Sequence, residues 1–294
     1  MKYLSGATGY TILRRDSKDI LLLADIHDGV NYCESGSGIF IDEYLMKHSK
    51  NSQILLEESI NDPELNLTDL WPDAEHTRKL KLLKEKDDSI IPTDIRPYLI
   101  PFSWQLAESN KKYQDITVKK YMSLFILFFN KKGRTYERFI FPYIGYNNGY
   151  IANNNDRKIL EEMFDDFNKI FMELCELAGD KTMQEMLKLQ SEKGEFHEYL
   201  HRIDNINSLI MEYYILLLTL SDKRNSIIHT GLAHSTRLIE MFENLGFKII
   251  ENVSMTDISF YTGSDKTNAC IANPGESKFM DRFIDRVNKK SMFI

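Results

Sequence analysis

No apolar run in this 294-residue chain approaches the roughly 20 residues that span a bilayer, and the opening MKYLSGATGYTILRRD holds no apolar stretch of signal-peptide length. A soluble, cytoplasmic protein without a membrane partner is therefore expected. Cysteine is scarce: Cys33, Cys175 and Cys270 are odd in number, widely spaced and without a CxxC pair, which argues against a disulfide framework and a zinc-thiolate site and predicts reduced thiols. Cys33 reads as a small buried residue rather than a nucleophile, since no neighbouring base is visible. Positive charge is not in excess either. The formal net charge is -7, so no overall basic field holds a polyphosphate backbone, and nucleic acid is not an expected partner. Internal repeats, low-complexity tracts and the HExxH order are absent too. The histidines of EFHEYLHR, His197 and His201, accordingly read as a solvated helix face. Heavy use of Ile, Asn, Lys and Tyr is a bias of AT-rich genomes, including those of some large DNA viruses; a viral source would place the chain in the host cytoplasm or the virion.

What is present is enough apolar residue, 43% of the chain, for a sizeable core. Short apolar runs bounded by polar or turn residues mark buried strands at Ile20–Ala24, Gln53–Glu57, Ser89–Thr93, Asn225–Thr230 and Phe247–Asn252. Helical periodicity over Gly38–His48 and Ser235–Asn244 supplies the crossovers that parallel strands require. From 111 to 221 strand signal almost vanishes, and 3.6-residue periodicity runs through Ile116–Phe129, Asp156–Leu177, Lys181–Leu189 and Ile206–Leu220; Tyr121, Phe125, Phe128 and Phe129 fall at core spacing. Pro142–Asn155, rich in Gly, Asn and Tyr, reads as an exposed loop or flap. The expected fold is α/β: a largely parallel central sheet flanked by helices, with a large helical insertion over the carboxyl edge of the strands. The core takes in 1–110 and 222–262, the insertion or lid 111–221, and the tail 263–294, with a Pro274–Gly275 turn and an amphipathic helix over Ser277–Asn288.

Ligands of open α/β sheets bind beyond the carboxyl ends of the strands, so polar residues there are the site candidates. The first strand ends in Asp25 and His27, the second in Glu57 and Glu58, the third in Asp94 and Arg96, and the late strand SIIHTGLAHS carries His229 and His234. Carboxylates with imidazoles suit two kinds of work: holding a divalent cation that activates water, or general acid–base catalysis near neutral pH. The candidate metal ligands are Asp25, His27, Glu57, Asp94, His229 and His234, for Mn, Zn, Co or Fe; the candidate catalytic residues are His27, Glu57, Arg96 and His234, with Arg96 stabilising an oxyanion or holding a carboxylate. Structural readings stand beside these. His229 lies inside an apolar run and suits a satisfied core position, Asp28 suits a turn cap, and of the adjacent pair Glu57 is taken as the site residue, with Glu58 as a helix N-terminal residue.

Taken in order, Asp25 and His27, then Glu57, then Asp94-x-Arg96, then Gly231-x-x-His234 before Gly246-Phe247, this pattern resembles the erythromycin esterase, TraB and TIKI-type superfamily, which includes a haem-binding lipoprotein branch. The resemblance covers about residues 15–110 and 222–255. It implies an α/β core with a helical insertion over the site, and hydrolysis of a small-molecule or peptide substrate through His27, Glu57 and His234, with or without a metal according to the branch. Members usually carry Gly-Glu before the first histidine, where this chain has Ala24 and Asp25. Asp25-x-His27 followed by Gly29 also looks like the first motif of calcineurin-type metallophosphoesterases, whose AsnHisGlu motif is missing here. A third reading is a degenerate enzyme fold kept as a binding or structural protein for a protein partner.

Overall fold

The computed structural model describes residues 2–26, 30–60, 75–87, 89–96, 115–129, 134–145, 150–182, 184–186, 188, 195–253 and 267–274. The chain divides into two compact units, one formed by Met1–Glu58, Trp71–Thr93 and Asp222–Ile294, the other by Ser59–Leu70 and Asp94–Ser221. The expected tail helix at 277–288 lies outside the described residues.

The first unit is mixed α/β. Its six-stranded sheet contains β2 (Gly9–Arg15), β3 (Lys18–Asp25), β6 (Ser52–Ser59), β7 (Ile90–Asp94), β8 (Asn225–Gly231) and β9 (Lys248–Val253), in the order β7-β6-β8-β3-β2-β9. All five expected strands are present, and β8, late in the chain, inserts between β3 and β6 and runs parallel to both. That central place buries both of its faces, so the polar Ser226, His229 and Thr230 are buried along with Ile227 and Ile228. β2 was not expected as a strand. It forms a two-residue hairpin with β3, closing at Arg15 and Lys18 with Asp16 at φ 53°, a left-handed turn conformation that Asp tolerates better than most residues. β2 is antiparallel to both β3 and β9, so β9 runs in the direction of β3 and β8.

Helices cover the sheet because each strand presents alternate residues to each face. Leu21, Leu23, Ile54, Leu56 and Ile227 belong to one buried cluster with Tyr44 and Leu45 of α1 (Ile41–His48) and Leu80 and Leu83 of α2 (Glu75–Lys86). The intervening Ile20, Leu22, Leu55 and Ile228 are equally buried. α8 (Leu232–Asn244), the crossover from β8 to β9, packs on β3, β8 and β9 and ends in a glycine turn: Gly246 at φ 83° donates its N–H to Glu243 O, and Phe247 donates to Phe242 O. The expected helix at Gly38–His48 begins three residues late, because Gly38–Phe40 is β5.

A second sheet in this unit has the order β4-β10-β1-β5, with β1 at Tyr3–Ser5, β4 at Val30–Tyr32 and β10 at Thr267–Ala272. β10 pairs in parallel with β4, Ala269 opposite Tyr32, and this register sets Cys270 beside Cys33. The two are joined as a disulfide with a Cα–Cα distance of 4.8 Å, so the reduced-thiol expectation is corrected for them. Spacing could not show it: 237 residues separate the two sulfurs, and only strand pairing closes the gap. Gly38 makes room beside the bridge, since a Cβ there would come within 2.9 Å of Tyr3 O and 3.3 Å of Cys33 Sγ.

The second unit is mostly helical where described, with α3 (Val118–Phe129), α4 (Arg134–Phe139), α5 (Phe141–Ile144), α6 (Asn154–Leu177) and α7 (Glu195–Ser221), and an isolated antiparallel bridge between Thr117 and Thr182. Asn153 caps α6 by accepting from the backbone N–H groups of Asn155 and Asp156. Tyr213 and Tyr199 of α7 donate to the carbonyls of Leu160 and Leu174 on α6, tying the two long helices together. Of the expected helix at 181–189, residues 184–186 and 188 are helical. The described ends of the expected flap are pinned: Pro142 and Tyr143 lie in α5, and their carbonyls accept from the N–H groups of Tyr150 and Ile151. Among the described residues no helix is long and apolar enough to cross a membrane.

Candidate active site

The register of β6, β8 and β3 sets Leu56 opposite His229 and Asp25 opposite Gly231. The carboxyl ends of three adjacent parallel strands therefore bring Asp25, Glu57 and the Gly231–His234 turn to one edge of the sheet, where open α/β sheets place their ligands. His27 and Asp28 lie outside the described residues. Glu58 is buried within β6, which corrects its reading as a helix N-terminal residue.

Strand alternation sorts the carboxylates. Asp25 shares a face with Leu21 and Leu23, the side covered by α1 and α2, whereas Glu57 shares the other with Leu55. Each has its own histidine. On the first face His76, the second residue of α2 and wholly buried, brings Nε2 to 2.6 Å from Asp25 Oδ2. Its Nδ1 lies 2.9 Å from the hydroxyl of Tyr32, and its backbone N–H donates to that hydroxyl at 3.3 Å. His229 Nε2 approaches the same Asp25 oxygen at 3.6 Å, beyond a hydrogen bond but close enough to feel its charge. Neither His76 nor Tyr32 was a sequence-level candidate. Beside Tyr32 the Phe40 ring lies at 5.4 Å between centroids, and Lys79 Nζ lies 3.6 Å from the centroid of Phe40.

On the second face Glu57 Oε2 accepts the backbone N–H of Gly231 at 2.7 Å, and Glu57 Oε1 lies 3.1 Å from His234 Nε2. Arg237, one turn further along α8, lies 3.1 Å from His234 Nδ1. A guanidinium can only donate, so Nδ1 carries the lone pair and Nε2 the proton given to Glu57. The tautomer of His234 is therefore set from both sides. Gly231 matters by its backbone: the turn from β8 into α8 aims its N–H at the carboxylate, and a carboxylate near a helix start is electrostatically favoured.

Asp94 and Arg96 belong to the helical unit, where they pair with each other: Arg96 Nε and Nη2 lie 2.8 and 2.9 Å from the two carboxylate oxygens, and the Arg96 backbone N–H adds a third bond. His201 is exposed on α7, as a solvated helix face requires.

The described donors are arranged as hydrogen-bonded pairs, Asp25 with His76 and Glu57 with His234. His234 Nδ1 faces a guanidinium. Among the described residues no group of three or more His, Cys, Asp and Glu side chains is placed to hold a metal ion. No protein-family model, curated protein or solved structure matches this chain.

Proposed function

We propose that the chain is a hydrolase of esters or amides, acting on a small-molecule or peptide substrate at the carboxyl ends of β3, β6 and β8. The observation that carries this reading is the Glu57–His234–Arg237 array, a carboxylate, an imidazole of defined tautomer and a guanidinium in line. Glu57 holds the Nε2–H and leaves the lone pair on Nδ1, the arrangement in which an imidazole serves as general base. Substrate binding draws Arg237 from Nδ1 onto the oxygen of the scissile carbonyl. Nδ1 then takes a proton from the attacking water and returns it to the leaving group, while Glu57 stabilises the imidazolium and Arg237 the oxyanion. The order of these residues along the chain, with its resemblance to the erythromycin esterase and TIKI-type superfamily, supports the same reaction class, with His27 as a further candidate.

The test is a panel of aryl esters, lactones, phosphate monoesters and peptides presented to the purified protein and to Glu57→Gln and His234→Ala. Ester or peptide turnover that falls by about 10²–10⁴-fold in both folded variants is expected. The reading is refuted if the wild type turns over none of the panel, or if both variants retain full activity. Elemental analysis after exposure to Mn, Zn, Co and Fe accompanies it: a stoichiometric cation lost in a His27→Ala, His234→Ala variant would assign water activation to the cation instead.

A further inference from the structure

On the opposite face of the same sheet edge, Tyr32, His76 and Asp25 form an unbroken chain that the reaction above does not use. The Tyr32 hydroxyl lies 2.9 Å from His76 Nδ1, and His76 Nε2 lies 2.6 Å from Asp25 Oδ2. His76 is wholly buried, with a side-chain exposure of 0%, and Asp25 is 1% exposed, so the two hold one another in a fixed orientation away from water. Tyr32 is only partly buried. A hydroxyl, an imidazole and a carboxylate in this order are the parts of a nucleophile, its base and the group that orients the base, and tyrosine is among the side chains that form covalent intermediates.

We infer that Tyr32 is an acyl-accepting nucleophile, activated by His76 and Asp25, for the carbonyl carbon of an ester. The Tyr32 oxygen bonds to the acyl carbon as its proton passes to His76 Nδ1. The C–O bond of the ester breaks, the departing alkoxide takes that proton, and an alcohol leaves with Tyr32 as its aryl ester. His76 Nε2–H remains on Asp25 throughout. Water then repeats the sequence in reverse: His76 Nδ1 takes its proton, the hydroxide oxygen bonds to the acyl carbon, and the phenolate leaves and is reprotonated by His76. The backbone N–H of His76, 3.3 Å from the Tyr32 oxygen in the first turn of α2, favours negative charge on that oxygen in both halves. Two features keep the hydroxyl in place. Tyr32 is the last residue of β4, paired with β10 through Ala269, and the next residue is bound to Cys270.

The inference does not depend on His234, and its readout is covalent modification rather than turnover. The full-length oxidised protein is treated with p-nitrophenyl acetate for a series of short times, digested, and the acetyl groups on each tyrosine are quantified by mass spectrometry. Tyr150 and Tyr3, 67% and 37% exposed, serve as internal references in the same molecules. Acetylation of Tyr32 about a hundredfold faster than either reference, lost in Tyr32→Phe and brought to the reference rate in His76→Gln, is the expected result. Equal rates at Tyr32 and Tyr150 in the wild type overturn the inference without any variant having to fold, and so does a folded His76→Gln protein that acetylates Tyr32 at the wild-type rate. Rapid Tyr32 acetylation in a protein that turns over no ester would sink the hydrolase reading and the water half of this sequence, and leave Tyr32 standing as an activated acyl acceptor; ester turnover with an inert Tyr32 would overturn the inference and leave the hydrolase reading standing.

Discussion

Reducing the Cys33–Cys270 bridge should cost the first unit a large part of its stability, and the size of the loss can be worked from the loop that the bridge closes. A crosslink between residues 237 apart removes more denatured-state entropy than the roughly 4.7 kcal/mol of a 100-residue loop, so the chain-entropy limit is about 5.5 kcal/mol, against a usual measured range of roughly 2–4 kcal/mol. Since whole domains are stable by only about 5–15 kcal/mol, even the lower figure is a major fraction. The loss should also be local. β1, β4 and β5 are three residues long, too short to hold a sheet by backbone bonds alone, whereas β2, β3 and β8 have seven or eight residues each and lie in the larger sheet. Urea unfolding with and without a phosphine reductant measures the first effect, and hydrogen exchange of the backbone amides measures the second. The expected outcome is a midpoint lowered by reduction, with protection falling first in β1, β4, β5 and β10 and persisting in β3 and β8. Thiol counting is the control: the denatured, unreduced chain should show one thiol, Cys175, and the reduced chain three. Three thiols before reduction, or superimposable unfolding curves after it, would refute the reasoning.

Two further outcomes follow from single buried groups. Burial pushes the Cys175 thiol up to about 11, with Glu176 adding to the shift, so the folded protein should react with a disulfide reagent at pH 8 far more slowly than the unfolded protein; equal rates would refute this. Lys18 is pushed down to about 8 from its ordinary 10.5, first by burial and then by Arg15 and Arg224, with Asp222 opposing; its Nζ donates to the carbonyls of Asp222 and Arg224 at 2.6 and 2.7 Å. Between those pH values the unfolded chain binds more protons at this site, so the cost of charging Lys18 is fully present below pH 8 and is relieved as pH rises toward 10.5. Unfolding free energy from urea titrations should therefore rise with pH over that window more in the wild type than in Lys18→Met, and parallel profiles would exclude the effect.

The parts of this fold that can be read from the chain are those whose signal is local. β3 carries the apolar run Ile20–Ala24, and β6 and β8 the shorter ones Ile54–Leu56 and Ile227–Ile228, buried on both faces, and the polar residues that follow them stand out against that background. Asp25, Glu57 and His234 were found in this way, and Leu56, His229 and Asp25 take the register that brings the strand ends together. β2 also carries a local signal: YTILRR and KDILLL flank Asp16-Ser17, and a two-residue break between β-prone runs marks a hairpin. The three-residue strands carry no such signal, and β10 sits in a stretch whose composition is polar.

The missing half of the site has a different cause. His76 follows an Ala-Glu in a charged, modestly amphipathic helix and resembles any histidine in a first turn; its importance comes from α2 lying over the face of the sheet that Asp25 shares with Leu23. Tyr32 likewise gains its meaning from β4 pairing with a strand 237 positions away. A buried carboxylate is costly without a partner, so Asp25 at the end of an apolar strand already implied a cation or a donor nearby. Sequence offered His27 as the nearest candidate in chain distance, and the structure supplies His76 through space. The same logic pairs Glu57 with His234 and Gly231. In both cases the strand end fixes the acid and a helix brings the base, so the carboxylates were legible from periodicity while His76 and Tyr32 depended on tertiary packing; Arg237, three residues after His234 on α8, is a neighbour by helical spacing alone.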